Sequence, residues 1–183
     1  MIILASGSPR RRELMGYIRT DFEVVTLPTS EDADPGLPPN ELAKTLALRK
    51  AAAVAKLRPR DTVIGADTIV FLDGRIFGKP KDSAQAAEML RALSGREHSV
   101  FTGVAIIRDG RSRVFCEETQ VRFAELTDDE ILTYTATNEP LDKAGAYGIQ
   151  GRGALLVRGI TGDFYNVMGL PLRRLSEELL RFL

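Results

Sequence analysis

The run TVIGADTIVFL, from Thr62 to Leu72, constrains the fold more than any other segment of the chain. It is apolar and β-branched, contains no proline and stops at Asp73-Gly74, so it reads as a core strand that turns through a tight hairpin into Arg75 to Phe77. Helical patterns lie on either side of it. From Glu41 the residues Leu42, Leu46, Ala53, Val54 and Leu57 approximate helical spacing, and the pattern ends at Pro59. After the hairpin, Asp82 with Gln85 resembles a capping box for a helix reaching about Leu93, closed by Ser94-Gly95. A strand between helices points to an α/β arrangement. A second hairpin signal, Asp109-Gly110 between the strands His98 to Arg108 and Ser112 to Phe123, makes the expected sheet mixed instead of purely parallel.

The remaining elements follow the same logic. Met1 to Ala5 is a short apolar strand, after which Ser8 supplies an N-cap and Pro9 the first helical position. Phe22 to Leu27 is a second strand, and Pro28 to Asn40 is a loop rich in Pro, Asp, Ser and Gly. Thr127 with Glu130 forms another capping box, for a helix toward Thr137. Leu141 to Ala154 is dominated by Gly and Ala, as expected of a loop whose backbone approaches a ligand. Leu155 to Val157 is read as a strand, and Leu172, Leu175, Leu179 and Phe182 as one face of a C-terminal helix. With 183 residues, 44% of them hydrophobic, the chain is expected to form a single domain over residues 1–183.

Lys plus Arg and Asp plus Glu both number 25, so nothing in the overall field favours nucleic acid or an anionic membrane as partner. Cys116 is the only cysteine, which excludes an internal disulfide and a Cys-rich zinc site. No stretch approaches the roughly 20 apolar residues of a spanning helix, and the N-terminus lacks the order of charges of a signal peptide. A soluble, cytoplasmic protein is expected.

Several places could carry chemistry. LASGSPRRR, Leu4 to Arg12, combines a helix N-terminus with Gly7, the hydroxyls of Ser6 and Ser8, and Arg10 and Arg11 in the first helical turn, where they oppose the helix dipole. This suits an anion, and it equally suits an ordinary capped helix with solvated arginines. It is not a Walker A loop, because no Gly-Lys-Ser/Thr follows at the required spacing. Asp67 lies amid Val63, Ile64, Ile69 and Val70, where a carboxylate is costly unless paired or metal-bound. It could activate water for phosphoanhydride hydrolysis together with Mg²⁺, or be a strand carboxylate satisfied by amides or an arginine. Glu31, Asp32 and Asp34 could complete an oxygen-ligand metal site or form a solvated acidic loop; Lys50 and Lys79 could neutralise polyphosphate or be surface lysines. His98, without a spaced Cys or second His, reads as a structural histidine, Cys116 as a half-buried hydrophobe, and no G-x-S-x-G elbow is present.

LASGSPRRRELM, LALRKA, VIGADTIV, GKPKD, MLRALSG, HSVFTGVA, PLDKAGAYGIQGRGA and GLPL stand in an order that resembles the Maf family of nucleoside triphosphate pyrophosphatases, over nearly the whole chain. The resemblance implies an elongated mixed sheet flanked by helices with a central cleft, as in the inosine triphosphatase fold, and a homodimer. It implies a divalent metal, Mg²⁺ or else Mn²⁺, and cleavage of a nucleotide to its monophosphate and pyrophosphate. Asp67 corresponds to the family's proton acceptor near the metal, Glu31 to its acidic residue after the second strand, and Ser8, Arg11, Lys50 and Lys79 to its triphosphate lining. Arg10, Thr68 and Gln150 match the subgroup acting on dTTP, UTP and modified pyrimidine nucleotides. A neutral Gln150 can both donate to and accept from a uracil or thymine edge. The family is also named for septum formation, so a nucleotide-binding regulator of cell division that acts without turnover is the alternative from a different class.

Overall fold

The computed structural model describes residues 1–183 except Glu31, Ala33 and Pro35. Among the described residues seven strands, β1 (Ile2–Leu4), β2 (Phe22–Val24), β3 (Thr62–Leu72), β4 (Arg75–Phe77), β5 (Glu97–Arg108), β6 (Arg111–Phe123) and β7 (Val157–Thr161), form one sheet in the order β2-β1-β3-β5-β6-β7, with β4 on β3. The helices are α1 (Pro9–Ile18), α2 (Pro39–Ala55), α3 (Ser83–Leu93), α4 (Asp128–Thr135), α5 (Phe164–Met168) and α6 (Leu172–Phe182). Strand β1 runs parallel to both β2 and β3, whereas β4 is antiparallel to β3 and β7 to β6, so the sheet is mixed as expected. Both predicted hairpin turns form, and each places its Asp and Gly at positive φ: 49° and 76° at Asp73-Gly74, 49° and 75° at Asp109-Gly110. Two consecutive positive φ values are the signature of the turn whose twist matches that of the flanking strands.

The chain divides into two compact units: Met1–Thr68, Thr102–Glu117 and Tyr165–Leu183 form one, and Ile69–Phe101 with Glu118–Phe164 the other. In the first, Ile3, Ala5, Ala47, Ala51, Val54, Val63 and Ala105 make a continuous core. Helix α2 meets the sheet through small residues. A Cβ on Gly65 of β3 would lie 2.5 Å from the Ala47 carbonyl oxygen, and one on Gly103 of β5 would lie 2.2 Å from that of Ala43. The helix backbone is therefore seated against two glycines, at a distance that side chains would forbid. The expected helix face holds at Leu46 and Val54, which are buried, and is corrected elsewhere: Ala43, Ala47 and Ala51 complete the buried face, while Leu57 is exposed and lies beyond the helix end.

Local chemistry accounts for several element ends. Thr127 and Glu130 form the full reciprocal box at the start of α4. Asp82 caps α3 by accepting from the Gln85 N–H at 2.8 Å, but the Gln85 side chain accepts instead from the Lys81 N–H at 2.7 Å, so only half of the predicted box is made. The strand expected at Leu155 to Val157 begins only at Val157, because Leu155 and Leu156 finish a 3₁₀ turn. Helix α5 carries no periodicity long enough to be read from sequence. Helix α6 buries Leu175 and Leu179 as expected, and also Glu178, whose carboxylate takes a two-pronged contact from Arg113, Nε to Oε2 at 2.7 Å and the second guanidinium nitrogen to Oε1 at 3.0 Å. That pairing holds the Glu178 carboxyl below its ordinary range. No described helix is long and apolar enough to cross a membrane.

Candidate active site

The short β1 ends at Leu4, and the chain then turns into α1 through Ser6, Gly7 and Ser8. Ser8 is the N-cap, its side chain accepting from the Arg11 N–H at 3.5 Å, with Pro9 following at the first helical position. No acidic residue occupies the first turn, so Arg10 and Arg11 add positive charge to the positive end of the helix dipole.

Arg11 organises this end. Its Nε–H donates to the Gly169 carbonyl at 2.7 Å, one terminal nitrogen to the Ser6 hydroxyl at 3.3 Å, and the other to the Thr68 hydroxyl at 2.9 Å. Thr68 and Thr102 hydroxyls stand 2.9 Å apart, and Thr102 donates to the Asn166 carbonyl at 2.9 Å. Each hydroxyl has one proton, and that of Thr102 is committed to Asn166, so the Thr68 proton points to Thr102. The direction of the chain is thereby set: Arg11 to Thr68 to Thr102 to the Asn166 carbonyl. Burial pulls the Arg11 guanidinium below its ordinary value, the Asp67 charge acts in the opposite sense, and Arg10 adds to the lowering. The guanidinium stays charged, because arginine is not deprotonated in proteins.

Asp67 precedes Thr68 on β3, and its carboxylate accepts a hydrogen bond from Lys50 Nζ. Lys50 sits on α2, the helix that the glycine contacts press onto β3 and β5, so close backbone packing is what brings ammonium and carboxylate together. Neither group is sealed off. The Asp67 side chain is 14% exposed and that of Lys50 22%. A carboxylate that is paired, yet still open to solvent, can take a water or a cation on its remaining lone pairs.

Among the predicted site residues, then, Ser8, Arg11, Lys50, Asp67 and Thr68 are gathered in one unit, where Arg10 also lies. Lys79 and Gln150 belong to the other unit and are both exposed. Within that unit the Gly145 N–H donates to the Gly78 carbonyl at 3.1 Å, tying the corner that carries Lys79 to the Gly/Ala loop that leads to Gln150. Glu31 lies outside the described residues. Its neighbours are engaged locally: Asp32 accepts from the Ser30 hydroxyl at 3.0 Å and Asp34 from the Gly36 N–H at 2.9 Å. Among the described residues no group of three or more His, Cys, Asp or Glu could hold a metal ion.

Sequence reasoning missed Thr102 and the Asn166 and Gly169 carbonyls. A fully buried threonine in the apolar β5 is the one signal that could have pointed to the first of these; main-chain acceptors carry no signal in side-chain chemistry.

Residues 1–182 match the family described as Maf-like protein. The chain belongs to the Maf family. This Maf-family chain is 53% identical over 180 residues to a protein named dTTP/UTP pyrophosphatase from Bacillus cytotoxicus, covering 98% of this chain and 94% of that one. It is 51% identical over 181 residues to a protein of the same name from Bacillus mycoides, covering 99% and 95%. Among solved structures it is similar to the Ham1 protein of Staphylococcus aureus, with a TM-score of 0.51 at 20% identity over 98% of this chain and 95% of that one. A HAM1 protein from Coxiella burnetii gives a TM-score of 0.52 at 17% identity, covering 98% of each chain. These two likenesses show a mixed α/β fold shared with the Ham1 proteins.

His98 is the structural residue it was expected to be. It is 1% exposed, its Nε2 lies 2.7 Å from the Tyr147 hydroxyl, and its ring meets those of Phe123 and Tyr147 edge-on at 5.1 Å and 5.4 Å. Burial lowers its pKa from 6.5 to about 4. Between those values the unfolded chain binds a proton that the folded one refuses, so stability is complete above pH 6.5 and falls as the pH drops toward 4. The difference amounts to about 3 kcal/mol. Urea unfolding at pH 7 and pH 4.5 should show this loss in the wild type and a smaller one in His98→Gln; equal losses in both proteins would mean that His98 is not the group responsible.

Proposed function

We propose that this chain hydrolyses dTTP and UTP, and modified pyrimidine nucleotides, to the nucleoside monophosphate and pyrophosphate, removing unwanted nucleotides from the pool. The observation that carries this reading is the adjacency, through Thr68 and Asp67, of the arginine-bearing N-terminus of α1 to a carboxylate paired with Lys50. Triphosphate needs donors and positive charge in one place, and hydrolysis needs a base that can reach water. The relatives named dTTP/UTP pyrophosphatase, about half identical over nearly the full length, support the same activity.

In this reading the N-terminal amides of α1, Ser8 and Arg11 bind phosphate oxygens, and Lys50 and Lys79 add charge. Asp67 takes a proton from water as its oxygen bonds to the α-phosphorus. The bond from that phosphorus to the α–β bridging oxygen breaks, and pyrophosphate leaves with the electron pair. Arg10, Thr68 and Gln150 select the base. The donor set suits a divalent cation held by one or two carboxylates, with phosphate oxygens and waters completing its shell, which is how Mg²⁺ is commonly bound. Asp67 would hold it with Glu31 as the second carboxylate, Mg²⁺ being expected and Mn²⁺ an alternative. When bound, the cation supplies charge neutralisation at the phosphates. The reading also takes from the family resemblance a cytoplasmic homodimer.

A panel of canonical and modified triphosphates with Mg²⁺ or Mn²⁺, read by pyrophosphate release, tests this directly. Turnover of dTTP and UTP above purine nucleotides is expected. A nucleotide-induced melting shift with no pyrophosphate released would sink it in favour of the regulator that binds without turnover, which no feature of the site favours.

A further inference from the structure

The segment 148–153 is fastened by side chains outside it, and its one polar side chain between the fasteners is Gln150. Ahead of it, Gly148 donates its N–H to the Tyr134 hydroxyl at 3.1 Å. Behind it, Arg152 donates its N–H to Glu139 Oε2 at 3.3 Å and Gly153 donates to Oε1 at 3.1 Å. Tyr134 closes the ring by donating its own proton to Glu139 Oε1 at 3.0 Å. The hydroxyl proton and one lone pair are thus both used, and burial with the adjacent Glu139 raises the Tyr134 pKa, so the phenol stays protonated.

Glu139 is fastened in turn. Its N–H donates to the Thr137 hydroxyl at 3.2 Å, and its carbonyl accepts from Lys143 Nζ at 2.6 Å. The approach to its carboxylate is close enough that a Cβ on Gly151, at φ +65°, would stand 3.0 Å from Oε2. One residue before the segment, Tyr147 is held by His98. Gly145 to Ile149 are all buried, and Gln150 alone in that stretch emerges to solvent.

We propose that Tyr134 and Glu139 are positioning residues that fix the main chain on both sides of Gln150 and so set the enzyme's discrimination between bases. This rests on the reading that Gln150 contacts the base. A glutamine amide has three rotatable bonds and can offer a donor or an acceptor to a ring edge. It discriminates only if its backbone is held so that one presentation is available. A carboxylate on two successive backbone amides is a charge-assisted anchor, stronger than neutral bonds to the same groups. Removing its charge, or the Tyr134 hydroxyl, frees the segment without touching the phosphate-binding residues.

The test is a specificity cycle with Tyr134→Phe, Glu139→Gln and Gln150→Ala, alone and with each of the first two combined with the third. It reads the ratio of kcat/KM for dTTP over dCTP and over dGTP, with melting temperature alongside. Tyr134→Phe and Glu139→Gln should each lower the ratio by about tenfold, the scale of one lost pocket contact. Once Gln150 is alanine, neither should lower it further. If Gln150→Ala changes the ratio while both positioning variants change only melting temperature or overall rate, the clamp is merely structural and the inference fails alone. If Gln150→Ala leaves the ratio unchanged, Gln150 does not read the base, and the inference falls with that reading. Glu139→Gln keeps the side-chain volume and Tyr134→Phe removes only a hydroxyl, and the melting temperature read alongside reports any loss of fold.

Discussion

Asp67→Asn is expected to lower kcat for dTTP and UTP by about 10²- to 10⁴-fold, the contribution of a positioned general base. Asparagine has the same shape and can still accept from Lys50 and fill the space on β3, but it cannot take a proton from water at neutral pH. The substitution also removes the Asp67 charge from beside the Lys50 ammonium. That lysine is 22% exposed, so water can solvate it in part, and the loss of stability should stay near 1–2 kcal/mol. Pyrophosphate release measured at saturating substrate, beside a urea unfolding curve, separates the two effects. A folded Asp67→Asn protein turning over at close to the wild-type rate would remove Asp67 from the mechanism.

Gly103→Ala should be the most destabilising single methyl that this chain can receive in its first unit. The added Cβ would lie 2.2 Å from the Ala43 carbonyl oxygen, 2.3 Å from its carbon and 2.6 Å from the Lys44 nitrogen. These are backbone atoms, which cannot turn aside as a side-chain tip can, so α2 must move away from β5 as a body. Overpacking of side chains costs about 1–3 kcal/mol, and here about 3 kcal/mol or more is expected, out of the roughly 5–15 kcal/mol that stabilise a typical protein. The damage should reach the site, because α2 carries Lys50 to Asp67. Gly16→Ala on α1 is the matched control: a Cβ there meets nothing within 4 Å, so the change should be neutral or stabilising by about 0.5–1 kcal/mol. A Gly103→Ala protein with an unfolding midpoint like that of the wild type would refute the glycine seat.

Gly65 and Gly103 also mark where reading the sequence runs out. Helical spacing put Leu42, Leu46, Ala53, Val54 and Leu57 on one face of α2, and of these Leu46 and Val54 are buried while Leu57 is exposed. The rest of the buried face is the alanine row of residues 43, 47 and 51, which lies closest to the sheet because glycines on β3 and β5 offer no side chains to fill a wider gap. Complementarity between a helix and two strands distant in sequence cannot be inferred from helical periodicity alone. The same holds for Glu178, buried in the middle of an amphipathic helix because Arg113 on β6 meets it.

At the site, residue types were legible and partnerships were not. A carboxylate within an apolar strand marked Asp67, and a proline-started helix with arginines in its first turn marked Ser8, Arg10 and Arg11. That Lys50 would meet Asp67 depended on the seating of α2, and that the Arg11 Nε–H would donate to the Gly169 carbonyl depended on a residue 158 positions away. Thr68, singled out by its motif, turned out to be a link in the chain of hydrogen bonds from Arg11 to Asn166.

The sequence by itself determined what is local: the two Asp-Gly turns, the capping of α1, α3 and α4, the apolar strands, and the ordered motifs that mark the Maf family. These are set by backbone sterics, by unsatisfied helix ends and by the side-chain period of two or of 3.6 residues, all of which act within a few positions along the chain. Only the tertiary structure decided which helix face is buried, which cation meets Asp67, and how Tyr134 and Glu139 hold the segment around Gln150. Those outcomes depend on close packing and on hydrogen-bond acceptors belonging to the main chain, and neither leaves a mark in the order of side chains.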